Sequence, residues 1–173
     1  LVAENEPVTT VASALFRTNN VGNAATAGEG KEVVRENILK GAKIIACSGY
    51  TNDEEKPDFL LDGKTDTKWC DVSQTPNYVD FDLGKAQNIS GWKMVNAGQE
   101  SHSYITNGCF LQGKMNPGDE WTTLDAIDGN HANVISRPLN YDGKVRYIRL
   151  LVTRPTQSTG GRDTRIYELE VYK

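Results

Sequence analysis

A cluster of hard oxygen donors lies in the stretch FLLDGKTDTKW, residues 59–69. Its oxygen-bearing side chains are Asp62, Thr65, Asp66 and Thr67. Gly63 allows the backbone to bend so that carbonyl groups turn inward, as calcium loops require. The stretch contains no His, and Cys70 lies outside it, so the donors suit a hard cation better than zinc. It lacks the full EF-hand pattern. An ordinary Asp-Gly surface turn explains the same residues, and the motif alone leaves both interpretations open.

Catalytic constellations are harder to assemble from this sequence. His102 and His131 lie in polar segments, and a triad built around either one needs further residues to converge from elsewhere. Asp80 and Asp82 are two apart on one predicted strand, where a solvated edge explains them better than an acid/base pair. The glycine-containing stretch STGGR (158–162) lacks the strand-to-helix context of a phosphate loop. The sequence therefore favours binding over catalysis.

The length and charge of the chain exclude several classes of protein. A chain of 173 residues fits one medium domain that can bury its own core. The net charge is −4 and both signs are mixed along the chain, which disfavours a nucleic-acid partner. No apolar run is long enough to span a membrane, and membrane association is not expected. The opening LVAENEP is no signal peptide and is typical of the edge of a larger protein.

The three cysteines, Cys47, Cys70 and Cys109, are odd in number and widely spaced. This spacing is neither a disulfide framework nor a CxxC metal site. Buried free thiols are the expected state, because Cys is among the most buried residue types. A Cys47–Cys70 disulfide is the alternative.

Short strands separated by turns are predicted from Ile44 onward. The segment YVDFDLG (78–84) alternates strictly, so its three hydrophobic side chains share one face while Asp80 and Asp82 share the other. Further strands are predicted at 42–48, 89–95, 109–115, 146–152 and 165–172. A helical turn is predicted at 56–61, with Pro57 at its start. Many short strands at this spacing predict an all-β fold, an antiparallel sandwich or jelly roll.

The N-terminal region differs in composition. Residues 18–31 are small and polar, as in a linker, and residues 8–16 could form one strand of a preceding module. The segment KEVVRENILKG (31–41) can form a short helix that stops at Gly41. We therefore predict a linker or remnant at 1–36 and a single domain at 37–173.

The order of the C-terminal segments resembles a known family. NILKGAKIIACS, FLLDGKTDTKW, YVDFDLGKAQNISGW, FLQGKMNPGDEWTTL, VRYIRLLV and RIYELEVYK are similar to a discoidin domain, the coagulation factor type C fold. Within it the chain resembles the family 32 carbohydrate-binding modules, which are usually appended to secreted bacterial glycoside hydrolases. The resemblance covers about residues 37–173 and implies a galactose-binding-domain-like β-sandwich.

The resemblance also implies a structural calcium ion in the Asp-Gly loop. The implied ligands are the carboxylates of Asp62 and Glu168, the hydroxyl and carbonyl of Thr67, and the carbonyls of Phe59, Lys64 and Tyr167. About seven oxygens is a normal number for calcium. Tyr167, Leu169 and Val171 are expected on the inward face of the last strand, which leaves Glu168 pointing away from the core. The ion would be structural, because a full shell leaves no position for substrate. Sodium is the alternative occupant.

By resemblance, a sugar site lies in loops at the calcium end of the sandwich, at 96–104, 128–133 and 156–163. The candidate sugar contacts are Asn96, Glu100, His102, Tyr104, Asn130, Asn133 and Arg162. Amides, carboxylates and guanidinium groups suit sugar hydroxyls, which both donate and accept hydrogen bonds. Ordinary turn chemistry explains Asn130 and Asn133 equally well. Glu100 could instead hold its own loop through backbone amides.

An aromatic ring is also expected at a sugar site. Trp69, Trp92 and Trp121 all have structural explanations, with Trp69 and Trp121 predicted in the core. The stacking partner is therefore expected to be Tyr104, with Tyr50 and His102 as alternatives.

The resemblance implies a non-catalytic module that contains calcium and binds terminal sugars of galactose or N-acetylhexosamine type. A covalently linked glycoside hydrolase, a secreted or cell-surface location and a monomeric isolated module are implied with it. The alternative is a discoidin domain that binds lipid or protein. The predicted loops lack the exposed Trp, Phe or Leu spikes that such domains use.

Overall fold

The computed structural model describes residues 34–173, which form two antiparallel β-sheets that share one hydrophobic core. The nine strands are β1 Lys43–Cys47, β2 Trp69–Asp71, β3 Asn77–Asn88, β4 Gly91–Asn96, β5 Gly108–Lys114, β6 Thr122–Ile127, β7 Val134–Pro138, β8 Lys144–Arg154 and β9 Thr164–Tyr172. Short 3₁₀ helices span Asp53–Glu55, Pro57–Leu61 and His102–Tyr104. The predicted all-β antiparallel sandwich is confirmed.

The strand order places distant segments side by side. One sheet has five strands in the order β1-β3-β8-β5-β6, and the other has four in the order β2-β9-β4-β7. The last strand, β9, lies between β2 and β4, so it adjoins both the Asp-Gly loop before β2 and the loop after β4. The short strands β2, β6 and β7 were not predicted, whereas the other six were.

Alternating hydrophobic residues build the core. Val79 and Phe81 of β3 are fully buried in the same cluster as Trp92 and Met94 of β4. Every second residue of a strand points to the same face, so the strict alternation of this segment places its hydrophobic side in the core. The prediction for β3 is confirmed at these positions.

An irregularity in β9 changes which residues face the core. Val95 of β4 pairs with Glu168, and the next residue, Asn96, pairs with Ile166, so Tyr167 is an extra residue in a β-bulge. Ile166 therefore belongs to the core cluster together with Leu169 and Val171. Tyr167 is buried as predicted, with 3% of its surface exposed, but it lies outside this cluster because the bulge interrupts the alternation.

The outer face of the five-stranded sheet carries arginine–aspartate pairs. Arg149 donates from Nε and Nη2 to the two oxygens of Asp80, at 2.6 and 2.7 Å. Arg146 binds Asp82 in the same way at 2.8 and 2.9 Å, and this hydrogen bonding lowers the pKa of Asp82. The two aspartates lie on the outer face as predicted, but Asp80 is buried, with 6% of its surface exposed, so the predicted solvated edge is wrong for Asp80. Each is engaged by an arginine fork rather than merely solvated.

The three tryptophans do not share one environment. Trp69 and Trp92 are fully buried, and Trp69 donates to the Gly49 carbonyl at 2.9 Å. Trp121 is only half-buried and lies outside the core cluster. The Arg149 guanidinium and the Lys114 ammonium stand 4.6 and 4.5 Å from the centre of its ring. The prediction that Trp121 is a core residue is therefore wrong.

The predictions for the N-terminal region are tested only in part. The proposed strand at 8–16 and the linker at 18–31 lie outside the described residues, and the boundary at 36/37 stays a prediction. The prediction of a helix at 31–41 is wrong for residues 34–41, which the structure describes and which contain no helix. Asn37 makes an isolated bridge to Tyr172, and a turn follows it up to Gly41. The helix was predicted from the four-residue spacing of Val34 and Ile38, but Val34 is exposed whereas Ile38 is buried.

All three cysteines are free thiols, as predicted. Cys70 and Cys109 are buried, and Cys47 is half-buried. Burial raises the pKa of Cys109 to about 12.

Candidate functional site

Three predicted loops meet at one end of the sandwich. The amide of Gly98 donates to Asn133 Oδ1 at 2.7 Å, which ties the loop after β4 to the loop before β7. The amide of Gln157 donates to the Ser103 carbonyl at 3.1 Å, and its side chain donates to the Asn130 carbonyl at 2.9 Å. We call this surface, residues 96–107, 128–133 and 154–163, the loop end. The hydrogen bonds make it one connected structure.

Asn96 lies beneath this surface and does not reach it. Its exposed fraction is 0%. Its Oδ1 accepts from the Thr106 amide at 3.0 Å, and its Nδ2 donates to the Asn133 carbonyl at 3.0 Å. The expectation that Asn96 contacts a ligand is therefore wrong, because both ends of its amide hold loops together.

Asn130 and Asn133 also support the loops. Asn130 Nδ2 donates to the carbonyls of Thr106 and Ala132, and its Oδ1 accepts from the Ala132 amide at 3.0 Å. Asn133 Oδ1 is taken by the amide of Gly98. The Asn130–Ala132 contacts are ordinary turn chemistry, whereas the hydrogen bonds to Thr106 and Gly98 join separate loops.

Glu100 connects the loop end to its surroundings through ionic hydrogen bonds. Tyr167 donates its hydroxyl to Glu100 Oε1 at 2.7 Å, and the Lys68 ammonium lies 3.1 Å from the same oxygen. Burial opposes ionisation of Glu100, but the hydrogen bonds from Tyr167 and Lys68 outweigh it and lower its pKa. The alternative prediction was that Glu100 binds backbone amides of its own loop, whereas its partners here are the side chains of Tyr167 and Lys68.

The aromatic groups at the loop end differ in exposure. His102 is exposed, whereas Tyr104 is half-buried. The Arg165 guanidinium lies 4.0 Å from the centre of the Tyr104 ring and covers one of its faces. A sugar could stack on Tyr104 only at its other face, and His102 is the more accessible ring.

Arg162 lines a groove that the sequence did not predict. The groove has a volume of about 540 Å³ and is lined by Gln74, Thr75, Asn107 and residues 153–162. Its second arginine, Arg154, forms an ion pair with Asp128 of the neighbouring loop. The sequence gives only a weak indication of this groove, because Arg154 is simply the last residue of a long strand, directly before a Thr/Ser/Gly-rich loop.

The Asp-Gly loop and the last strand meet at a second site. Glu168 is 7% exposed, and its Oε1 accepts from the amides of Gly63 and Lys64 at 2.7 and 3.1 Å. Gly63 has φ +79°, a conformation that favours glycine and turns its amide toward Glu168. Asp62 accepts from the Thr67 hydroxyl at 2.7 Å. Asp62, Thr67 and Glu168 are thus brought together.

The donor set at this second site fits a hard cation such as calcium. Burial and the adjacent Asp62 carboxylate together raise the pKa of Glu168 to about 7, although the two backbone amides act in the opposite direction. A cation between the two carboxylates would offset both effects. Within residues 34–173, no group of three or more His, Cys, Asp or Glu side chains is arranged to hold a metal ion. Hydroxyl and carbonyl oxygens would therefore complete the shell, with Thr67, Phe59, Lys64 and Tyr167 as the predicted sources.

The second site is joined to the loop end by two contacts. Gln99 donates from its side chain to the Thr65 carbonyl at 3.0 Å. Lys68, which follows the Asp-Gly loop, bridges Glu100 and Glu55. The predicted metal loop and the predicted sugar-site loop at 96–104 therefore lie at the same end of the sandwich.

The sequence model of the F5/8 type C domain matches residues 44–169. The chain belongs to the F5/8 type C domain family. This match includes the Asp-Gly loop and all nine strands apart from the last three residues of β9 and the first residue of β1. A search of the curated proteins found no significant match.

Solved structures place this F5/8 type C domain among carbohydrate-binding modules by fold. The family 32 carbohydrate-binding module of Streptococcus pneumoniae EndoD is 27% identical with a TM-score of 0.69, covering 80% of this chain and 99% of that module. A Clostridium perfringens family 32 module in complex with GalNAc-β-1,3-galactose is 16% identical with a TM-score of 0.68, covering 80% and 100%. Chitosan-binding module 2 of a Paenibacillus chitosanase/glucanase, in complex with chitotriose, is 20% identical with a TM-score of 0.65, covering 79% and 100%.

Within residues 34–173, no helix has the length and apolar character needed to cross a bilayer.

Proposed function

We propose that this F5/8 type C domain is a non-catalytic carbohydrate-binding module that holds a sugar at the loop end. The observation that carries the proposal is the convergence of three polar loops into one hydrogen-bonded surface, with His102 and Arg162 exposed on it. A surface fixed before binding loses little conformational entropy when a ligand arrives. The fold is that of proteins solved in complex with sugars.

The proposed ligand is a terminal sugar of galactose or N-acetylhexosamine type. A family 32 module of similar fold was solved in complex with GalNAc-β-1,3-galactose, which is consistent with this choice. A shallow surface with one ring contact and a few hydroxyl contacts should supply only about 4–5 kcal/mol, which is near-millimolar affinity. Attachment to a glycoside hydrolase would raise the effective concentration on a glycan-covered surface. We therefore propose a targeting role for a secreted parent enzyme.

The proposal includes a structural calcium ion at the second site. Asp62, Thr67 and Glu168 would hold it, with carbonyl groups of the Asp-Gly loop and of β9. The ion would supply positive charge that fixes this loop against the last strand. Because Gln99 and Lys68 connect the Asp-Gly loop to the loop at 96–104, the ion would also steady the proposed sugar-binding surface.

A glycan array, run with and without calcium, tests the proposed function. We expect galacto-configured or N-acetylhexosamine glycans to be bound, and isothermal titration of the best glycan to give a dissociation constant near 1 mM. His102→Ala should weaken binding, whereas Lys85→Ala, exposed at the opposite end of β3, should not. Binding to anionic lipid vesicles without binding to any glycan would contradict the proposal and support the lipid-binding alternative.

A further inference from the structure

The groove beside Arg162 is formed by a rigid loop. Thr156 is buried, and its hydroxyl donates to the Ser158 carbonyl at 3.0 Å and accepts from the Ser158 amide at 3.2 Å. A Cβ at Gly161 would overlap the Thr156 hydroxyl, and Gly160 has φ +86°, so the tight turn requires both glycines. Gln157 ties the loop to the Ile105 carbonyl at 2.8 Å. The groove wall is therefore fixed before any ligand binds.

The groove is positively charged although the chain as a whole is negative. Its lining contains two arginines, Arg154 and Arg162, and no carboxylate, whereas the whole chain has a net charge of −4. Arg154 is partly neutralised by Asp128. Arg162 is exposed and makes no ion pair with any of residues 34–173. An unpaired guanidinium beside a preformed groove is positioned for an anion.

The other lining groups suit a sugar ring. Hydroxyl and amide side chains come from Gln74, Thr75, Asn107, Ser158 and Thr159. These groups both donate and accept hydrogen bonds, as sugar hydroxyls do. The volume of about 540 Å³ lies within the usual range for small-ligand pockets. The groove also adjoins the rest of the loop end, because Arg154 pairs with Asp128.

We propose that this groove selects a sugar that carries a carboxylate, such as a uronic acid. A guanidinium offers two parallel N–H donors that match the two oxygens of a carboxylate, whereas a neutral hydroxymethyl group can accept only single hydrogen bonds. This inference rests on the proposed carbohydrate-binding function and narrows its ligand class. Arg162 is the residue that confers the selectivity, and Arg154 contributes the remaining positive charge.

Galacturonic acid and galactose form a matched pair of probes, because they differ only in a carboxylate or a hydroxymethyl group at C6. Isothermal titration at low salt should give about tenfold tighter binding for galacturonate, the effect of one charge-assisted hydrogen bond. The preference should shrink in 0.5 M NaCl, since salt screens exposed charges. In Arg162→Gln the ratio of the two affinities should fall toward one, and Arg162→Lys should keep part of it.

The control variant is Lys85→Gln, which removes one positive charge from an exposed position at the other end of the sandwich. It should leave the affinity ratio unchanged. Equal binding of the two sugars by the wild-type chain would overturn the inference while the proposed function stands. Equal tightness for galactose 6-sulfate and galacturonate would overturn selection of the carboxylate. If no sugar or glycan binds at all, the proposed function fails and this inference fails with it.

Discussion

Replacement of Asn96 by alanine should destabilise the domain through its interior. The substitution removes the acceptor of the Thr106 amide and the donor to the Asn133 carbonyl. The Thr106 residue is fully buried, so its amide would lose its partner without gaining water. The Asn133 carbonyl would still accept from the Asn96 backbone amide at 2.9 Å. The substitution therefore leaves one buried donor without a partner, and one half-buried carbonyl loses one of its two hydrogen bonds.

The cost can be worked from these contacts. An unsatisfied buried amide costs about 1–3 kcal/mol, and a lost additional hydrogen bond costs about 0.5–1.5 kcal/mol. We expect Asn96→Ala to lower the free energy of unfolding by about 2–3 kcal/mol. For a chain of this length the melting temperature should fall by roughly 2–4 °C per kcal/mol, or about 5–10 °C. The effect on sugar affinity should be indirect, because Asn96 supports the loops and does not contact the sugar.

Urea denaturation followed by tryptophan fluorescence measures this change. Asn140→Ala is the matched control, because Asn140 is exposed and should change stability by less than about 0.5 kcal/mol. An Asn96→Ala protein with wild-type stability but no sugar binding would refute the reasoning. Asn96 would then be a ligand contact, in contradiction to its burial.

Three further predictions concern the core, the cation and the thiols. Trp69→Ala should lower the free energy of unfolding, measured by urea denaturation, by about 3–5 kcal/mol. Trp121→Ala should lower it by only about 1–2 kcal/mol, because the Trp121 ring contacts two cationic side chains outside the core. Similar losses for the two variants would contradict the different environments of the two rings. Added calcium should raise the melting temperature of the metal-depleted wild type but not that of Glu168→Gln, because only the native site binds the ion; an equal rise in both would show binding elsewhere. Burial raises the pKa of Cys109 to about 12, so at pH 8 its thiol stays protonated and should resist a thiol reagent in the native state, while half-buried Cys47 reacts first. Labelling of Cys109 at the rate seen in urea would contradict this.

The sequence predicted the strands whose hydrophobic pattern is strong. In β3 the alternation carried enough information to place Val79 and Phe81 in the core. The strand β6 was not predicted, because TTLDAI at the sheet edge places mostly half-buried or exposed residues on both faces. The bulge at Tyr167 could not be read from the sequence, since it depends on how β9 pairs with β4. The pairing of two strands depends on tertiary structure, and the hydrophobic pattern of a single segment does not specify it.

The position of the candidate loops could be predicted from the sequence more accurately than the role of each side chain in them. The resemblance identified the three loops, and the structure brings them together. The roles of Asn96 and Asn133 depend on hydrogen bonds between segments 37 residues apart in the chain. A polar side chain in a loop can face solvent or hold a neighbouring loop, and residue type alone does not separate the two. Trp121 shows the same limit, because an aromatic residue near a strand can pack with cations outside the core.

The most direct test of the account is an NMR titration of the ¹⁵N-labelled domain with galactose, N-acetylgalactosamine and galacturonic acid at millimolar concentrations. The account predicts that at least one sugar shifts backbone amide signals within 96–107, 128–133 and 154–163, with little change on the outer face of the five-stranded sheet. Shifts confined to that outer face, or no shift with any sugar, would contradict the claim that the loop end binds carbohydrate.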